Sequence, residues 1–268
     1  MPAQVANAED RVNSEELQGG VNVVVRTGDT VHRPVGPWTP NVHALLRHLR
    51  ALGFTGAPAV HGLDAEGREV LEFVPGEVCT LPLAGAASGA AALASAAALL
   101  RRYHDASSSF VAAHLHGWQL PSRAPAEVVC HGDFAPYNVV LEGERAVAII
   151  DFDTAHPAPR TWDLAYALYR WAPLLHPDNP ECLGTFEVQA ARAADFCDAY
   201  GLPVERRAEL PALIVERLGV LAQFIEGRAA HGDIAFQRHL AAGHPALYRR
   251  DAEHLTSRLD RLRAALLR

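Results

Sequence analysis

The chain has 268 residues, of which 49% are hydrophobic and 21% charged, and a net charge of −7. That length allows one large domain or two modest ones, and the acidic balance lacks the cationic surplus of a nucleic-acid binder, so no nucleic-acid partner is expected. All 24 basic residues are arginine, which excludes a Walker A loop, a Ser-x-x-Lys nucleophile and a Schiff-base amine and leaves Arg, His and backbone N–H groups to bind anions.

Met1 to Asp10 has neither a basic nor an apolar run and reads as a frayed end rather than a signal peptide. Val21–Arg26 and Thr30–Arg33 read as two β-strands, preceded by Gly19-Gly20 and joined by Thr27-Gly28-Asp29. Thr39 is then expected to cap a helix with Pro40 in its first turn, an apolar stripe at Val42, Leu45, Leu46 and Leu49, and Gly53 as its stop. Pro58–Leu63 and Glu69–Val74 alternate like another strand pair before Pro75-Gly76 breaks the chain. Helical patterns follow over Ala90–His104, Arg160–Trp171, Phe186–Tyr200, Glu205–Arg228 and Ala235–Leu267, the last with a break at Gly243-His244-Pro245. Strand-like pieces interrupt them only over Val128–Asp153. The uncharged run Leu81–Leu100 is mostly Ala, Gly, Ser and Pro, too weakly apolar for a bilayer, so no membrane partner is expected. Cys79, Cys130, Cys182 and Cys197 form no Cys-x-x-Cys pair and read as reduced thiols of a cytoplasmic protein.

The unusual segment is 126–171, which holds seven acidic and three basic residues and so most of the net charge. Asp133, Asp151 and Asp153 stand there beside the apolar pieces Val139–Leu141 and Ala146–Ile150, where unpaired carboxylates are costly and a divalent cation would compensate them. A turn at Glu142-Gly143-Glu144-Arg145 is expected to pair Leu141 with Ala148 and Asn138 with Asp151. An amide and a carboxylate oxygen at the mouth of one hairpin suit Mg²⁺, which completes its octahedron with waters and phosphates. Asp133, five residues before Asn138, is then placed to act as a base toward an attacking hydroxyl.

His131-Gly132-Asp133-Phe134-Ala135-Pro136-Tyr137-Asn138, followed by Ile149-Ile150-Asp151-Phe152-Asp153 and Thr161-Trp162-Asp163-Leu164-Ala165, resembles the aminoglycoside phosphotransferase and choline kinase family of small-molecule kinases. The resemblance implies an α+β, protein-kinase-like fold of two lobes: a small β-rich N-terminal lobe over residues 1–75 and a larger, mostly helical C-terminal lobe over 76–268. It implies ATP-dependent transfer of the γ-phosphate to a hydroxyl of a small molecule, an antibiotic such as an aminoglycoside or a hydroxylated metabolite, by a monomer or weak dimer. Asp133 would be the catalytic base, and Asn138 and Asp151 would hold Mg²⁺. His131 and Asp163 would brace the loop from within. Gly19, Gly20, Val21 and Asn22 would lie over the triphosphate, and Glu72 and Val74 would offer hinge backbone groups to adenine.

Two positions depart from that pattern. The strand lysine is missing, with Arg33 its replacement, and His43 stands where a helix carboxylate is expected. These departures motivate a rival reading, a nucleotide-binding pseudokinase or immunity-type protein that holds a ligand without turnover. Asp153 reads either as a cap of the following turn or as a second metal ligand. His114-x-His116 has the start of a zinc pattern but no third ligand at a typical spacing, and the stripe Leu255, Leu259, Leu262, Leu266 reads as a core face rather than a dimer seam.

Overall fold

The computed structural model describes residues 14–17 and 24–268; Gly19, Gly20, Val21 and Asn22 lie outside the described residues. An antiparallel sheet of β1 (Ser14–Leu17), β2 (Val24–Thr27), β3 (Thr30–Arg33), β4 (Val60–Leu63) and β5 (Glu69–Glu72) has the spatial order β1-β2-β3-β5-β4. The hairpin β2–β3 and the pair β4–β5 follow the expected alternation, and β1 is an addition. Between β3 and β4, α1 (Thr39–Ala51) buries the expected stripe Val42, Leu45, Leu46 and Leu49. Its start differs from expectation. Trp38 takes the N-cap position, and Thr39 is already helical, its hydroxyl accepting the Gly36 N–H at 2.9 Å.

Five further strands follow: β6 (Glu77–Val78), β7 (Val128–Cys130), β8 (Val139–Glu142), β9 (Arg145–Ile149) and β10 (His156–Ala158). They form a ribbon β6-β8-β9 and an antiparallel pair β7–β10. The helices are α2 (Ala90–Ser107), α3 (Arg160–Trp171), α4 (Phe186–Tyr200), α5 (Val204–Arg207), α6 (Leu210–Ala230), α7 (Ile234–Ala241), α8 (His244–Thr256) and α9 (Leu259–Leu266). The result is the α+β arrangement implied by the motifs, with a small antiparallel sheet and a larger helical portion.

The alanine-rich run is the central strut of that portion. Helix α2 buries Ala92, Leu93, Ala96, Ala97, Leu99, Leu100 and Tyr103 against α4 and β9, and its methyl-sized side chains let neighbouring backbones come close. No helix of the described residues is long and apolar enough to cross a membrane. The helix expected over Glu205–Arg228 is split into α5 and α6, because Pro211 in the first turn of α6 cannot continue a helix that arrives from α5. A second break falls at Ser257-Arg258, so the C-terminal leucines lie on two helices, with Leu255, Leu262 and Leu266 fully buried in the core.

The hairpin that matters most has a different register from the expected one. Glu142 pairs with Arg145 across a two-residue turn, in which Gly143 takes φ 60. A bulge then shifts the ladder, so that Val140 faces Ala148 and Val139 faces Ile149. Asn138 therefore meets Ile150, whose N–H donates to the Asn138 carbonyl at 2.9 Å, and not Asp151. Asp151 follows with φ 62, a left-handed conformation that aspartate tolerates and that ends the strand's alternation of faces.

Candidate active site

Strand β7 delivers His131, Gly132 and Asp133 to the floor of a cavity of about 1200 Å³ that lies between the antiparallel sheet and the helices. The loop is held by a carboxylate behind it. Asp163, in the first turn of α3 and 1% exposed, accepts the His131 N–H at 2.7 Å, the Gly132 N–H at 3.0 Å and the His104 ring N–H at 3.0 Å. His131 itself is fully buried: its Nε2–H donates to the Ile150 carbonyl at 3.0 Å, and its Nδ1 accepts the Asp133 N–H at 3.3 Å. These partners fix the orientation of the ring. Both residues thus occupy the bracing positions assigned to them. Gly132 is required for a separate reason, since at φ 81 a β-carbon would lie 2.4 Å from the Thr154 carbonyl oxygen.

The Asp133 carboxylate is clamped on both oxygens. Tyr137 O–H donates to Oδ1 at 2.8 Å, and the Asn138 amide donates to Oδ2 at 2.9 Å and to the Asp133 carbonyl at 3.0 Å. Burial pushes this carboxyl above its ordinary value, with the nearby Asp151 charge acting in the same direction. Because both Asn138 amide hydrogens are spent on Asp133, its Oδ1 is left over and accepts no hydrogen bond from the described residues. Asp151, whose side chain is half exposed, has among the described residues only Oδ1 engaged, by Arg33 at 2.8 Å. An amide oxygen and a carboxylate oxygen, both lining the cavity and both unspent, are a donor set that fits a hard divalent cation.

Arg33 ends β3 and is 6% exposed. Its Nε binds Glu69 at 2.6 Å, Nη1 binds Asp151 at 2.8 Å and Nη2 binds Asp153 at 2.7 Å. Burial opposes the charge, and Asp151, Asp153 and Glu69 outweigh it and raise the guanidinium above its ordinary value. Asp153 thus holds the arginine instead of only capping a turn. The missing helix carboxylate is replaced by a detour: His43 on α1 reaches Glu69 Oε2 at 2.8 Å, and Glu69, opposite Arg33 in the β3–β5 register, orients the arginine. Sequence reasoning passed over Glu69. Its signal was present, because Glu69 shares the buried face of β5 with Leu71, and a glutamate on such a face needs a partner.

Glu72 and Val74 both line the cavity, beside the apolar wall of Val31, Leu71, Val140 and Ile150. The Glu72 carboxylate accepts the Ala59 N–H at 2.9 Å, and Phe73 N–H donates to the Asp29 carbonyl at 2.8 Å. The Val74 N–H has no partner among the described residues, as a hydrogen-bond donor for a planar base requires. The structure therefore brings Arg33, Glu72, Val74, Asp133, Asn138 and Asp151 to one cavity. His114 does not join it; its ring stacks on Phe110 at 3.7 Å, and its Nδ1 hydrogen-bonds the Phe110 carbonyl oxygen.

The family model described as "Phosphotransferase enzyme family" matches residues 109–213. A protein named trifolitoxin immunity protein, from Rhizobium leguminosarum bv. trifolii, is 35% identical over 197 residues, covering 70% of this chain and 74% of that protein. Among solved structures, a choline/ethanolamine kinase family protein from Mesorhizobium loti superposes with a TM-score of 0.65 at 17% identity, covering 97% of this chain and 94% of that one. An amicoumacin kinase solved with AMP-PNP, Ca²⁺ and Ami superposes with a TM-score of 0.64 at 15% identity, covering 95% and 89%. At these identities the two structures speak to the fold, which is protein-kinase-like.

Proposed function

Because this chain belongs to the phosphotransferase enzyme family, we propose that it transfers the γ-phosphate of ATP to a hydroxyl of a small molecule, an antibiotic or a hydroxylated metabolite. The observation that carries this reading is the convergence of Asp133, Asn138, Asp151 and Arg33 on one cavity, with the Asp133 carboxyl held above its ordinary value by burial. On this reading residues 1–75 form the nucleotide lobe and 76–268 the catalytic and acceptor lobe.

Val74 N–H and the Glu72 backbone carbonyl receive adenine, while Val31, Leu71, Val140 and Ile150 enclose its faces. Arg33 turns N–H groups toward the phosphates, held in place by Glu69. Asn138 Oδ1 and Asp151 Oδ2 would hold Mg²⁺, which supplies neutralisation of the β- and γ-phosphate charge. Asp133 orients the acceptor hydroxyl and takes its proton as the oxygen bonds to the γ-phosphorus and the bond to the β-phosphate oxygen breaks, releasing ADP. Asn138 keeps the Asp133 carboxylate aimed through its bond to Oδ2.

Arg33→Ala is expected to raise the KM for ATP by about tenfold, since one charge-assisted phosphate contact is lost and Asp151 loses its tether. A steady-state ATP titration checks it, and an unaltered KM would show that the guanidinium serves only Glu69, Asp151 and Asp153.

The name of the 35% identical relative favours one second reading, an immunity-type protein that binds a ligand without turning it over. A screen of hydroxylated antibiotics and metabolites with Mg·ATP, reading ADP release and phosphorylated product, separates the two. Acceptor-dependent transfer by the intact protein supports the phosphotransferase. Tight ligand binding with no ADP release from any acceptor supports the binder.

A further inference from the structure

Beyond Asp133 the cavity continues between α3, α6, α7 and α8, and its lining there is aromatic and cationic: Trp162, Tyr166, Tyr248, Phe224, Arg170 and Arg217. Among the described residues, Glu181 is the only carboxylate besides Asp133 that lines this end, and Arg170 already binds it at 3.0 Å. Arg217, on α6 and 5% exposed, has no such partner. Its Nη2 donates to the Gly132 carbonyl at 2.6 Å, its Nε is buried without a hydrogen-bond partner, and no carboxylate among the described residues pairs with it. Its guanidinium lies 4.9 Å from the Tyr166 ring centroid and 5.4 Å from that of Trp162. A buried cation that, among the described residues, has only π-faces and one carbonyl to support it is expensive to maintain unless something anionic completes it.

Resting on the reading of this cavity as the acceptor site, we infer that the acceptor is a hydroxyl compound with an aromatic or branched apolar body and an anionic group, such as a carboxylate, bound by Arg217. Arg217 grips Gly132, the residue before Asp133, so the anionic group sits close to the hydroxyl that is phosphorylated. A polyamine such as an aminoglycoside meets the opposite of what it needs. Its ammonium groups would face Arg170 and Arg217, and besides Asp133 itself only Glu181, already paired with Arg170, would balance them.

The test uses three probes of one size and graded charge, 3-phenyllactate, 3-phenylpropane-1,2-diol and phenylalaninol, together with the larger polycation gentamicin, on the full chain with Mg·AMP-PNP. Binding is read by calorimetry, and transfer is read separately as ADP release with Mg·ATP. The expected order is phenyllactate tightest, the diol about tenfold weaker, and both amines weaker still. In Arg217→Gln, whose amide can still donate to the Gly132 carbonyl, the ratio between acid and diol collapses toward one. Gentamicin or phenylalaninol binding as tightly as phenyllactate overturns the inference, as does the absence of phenyllactate binding at millimolar concentration. So does an Arg217→Gln protein, folded by circular dichroism, that keeps the wild-type ratio. The charge series on the intact protein decides the matter even if that variant does not fold. Phenyllactate binding without ADP release upholds the pocket's preference and counts against phosphoryl transfer; transfer to gentamicin does the reverse.

Discussion

Asp133→Asn is expected to lower kcat by about 10²- to 10⁴-fold, the usual worth of a positioned general base, while the affinity for Mg·ATP changes by less than about twofold. The substitution is close to isosteric and the site can absorb it. The new amide oxygen still accepts from Asn138, and the new N–H₂ faces Tyr137, whose hydroxyl can turn to donate to Tyr166 O, 3.1 Å away. What is lost is the ability to take a proton. On the proposed mechanism Asp133 works only when ionised, and burial raises its carboxyl above its ordinary value. Transfer should therefore fall as pH drops through that raised value, and the residual activity of the variant should lose this limb. Rapid-quench measurement of product, with nucleotide affinity from calorimetry, reads both quantities. An unchanged kcat would move the base to another residue.

Asp163→Asn is expected to cost on the order of 3 kcal/mol of stability, the largest effect foreseen outside the chemistry itself. Asp163 satisfies two backbone N–H groups and the His104 ring from a site 1% exposed. An amide has one accepting oxygen for these donors and presents its own N–H₂ to another of them. Burial pushes the Asp163 carboxyl up, but hydrogen bonds from His104 and from the His131 N–H outweigh it, leaving the group at about 2 against 3.8 when unfolded. Its folded value is depressed, so its contribution is complete above about 4 and fades as pH falls toward 2. Urea midpoints should show a constant gap between wild type and variant from neutral pH down to about 4, closing below it. A gap that does not narrow in acid would mean that the carboxylate is not what holds the loop.

The residues around the site were not equally readable. Asp133, Asn138 and Asp151 were legible because three short motifs in a fixed order name them, although the register argument that joined Asn138 to Asp151 was off by one residue. The strand pattern could not reveal the two-residue turn, the bulge or the left-handed Asp151, each of which adds or removes one position from the ladder. Glu69 was missed because its partner Arg33 is 36 residues away in the chain, and only the β3–β5 pairing sets them opposite each other. Pro211 was visible yet underweighted, and it divided one expected helix into α5 and α6.

What the sequence determined by itself was everything that local chemistry or residue type can decide. The lack of lysine leaves arginine as the chain's only long cationic side chain. Alternation and 3.6-residue periodicity mark the β-rich start and helical remainder, and motif spacing picks out the acidic loop. Tertiary structure alone decided which groups share a charge or a proton. Arg33 gathers carboxylates from β5 and from the segment after β9, His43 supports it through Glu69, and Arg217 arrives under Gly132 from α6 with no acid partner among the described residues. Electrostatic and hydrogen-bond energies depend on separations of a few ångströms between atoms far apart in the chain, and no one-dimensional pattern encodes them.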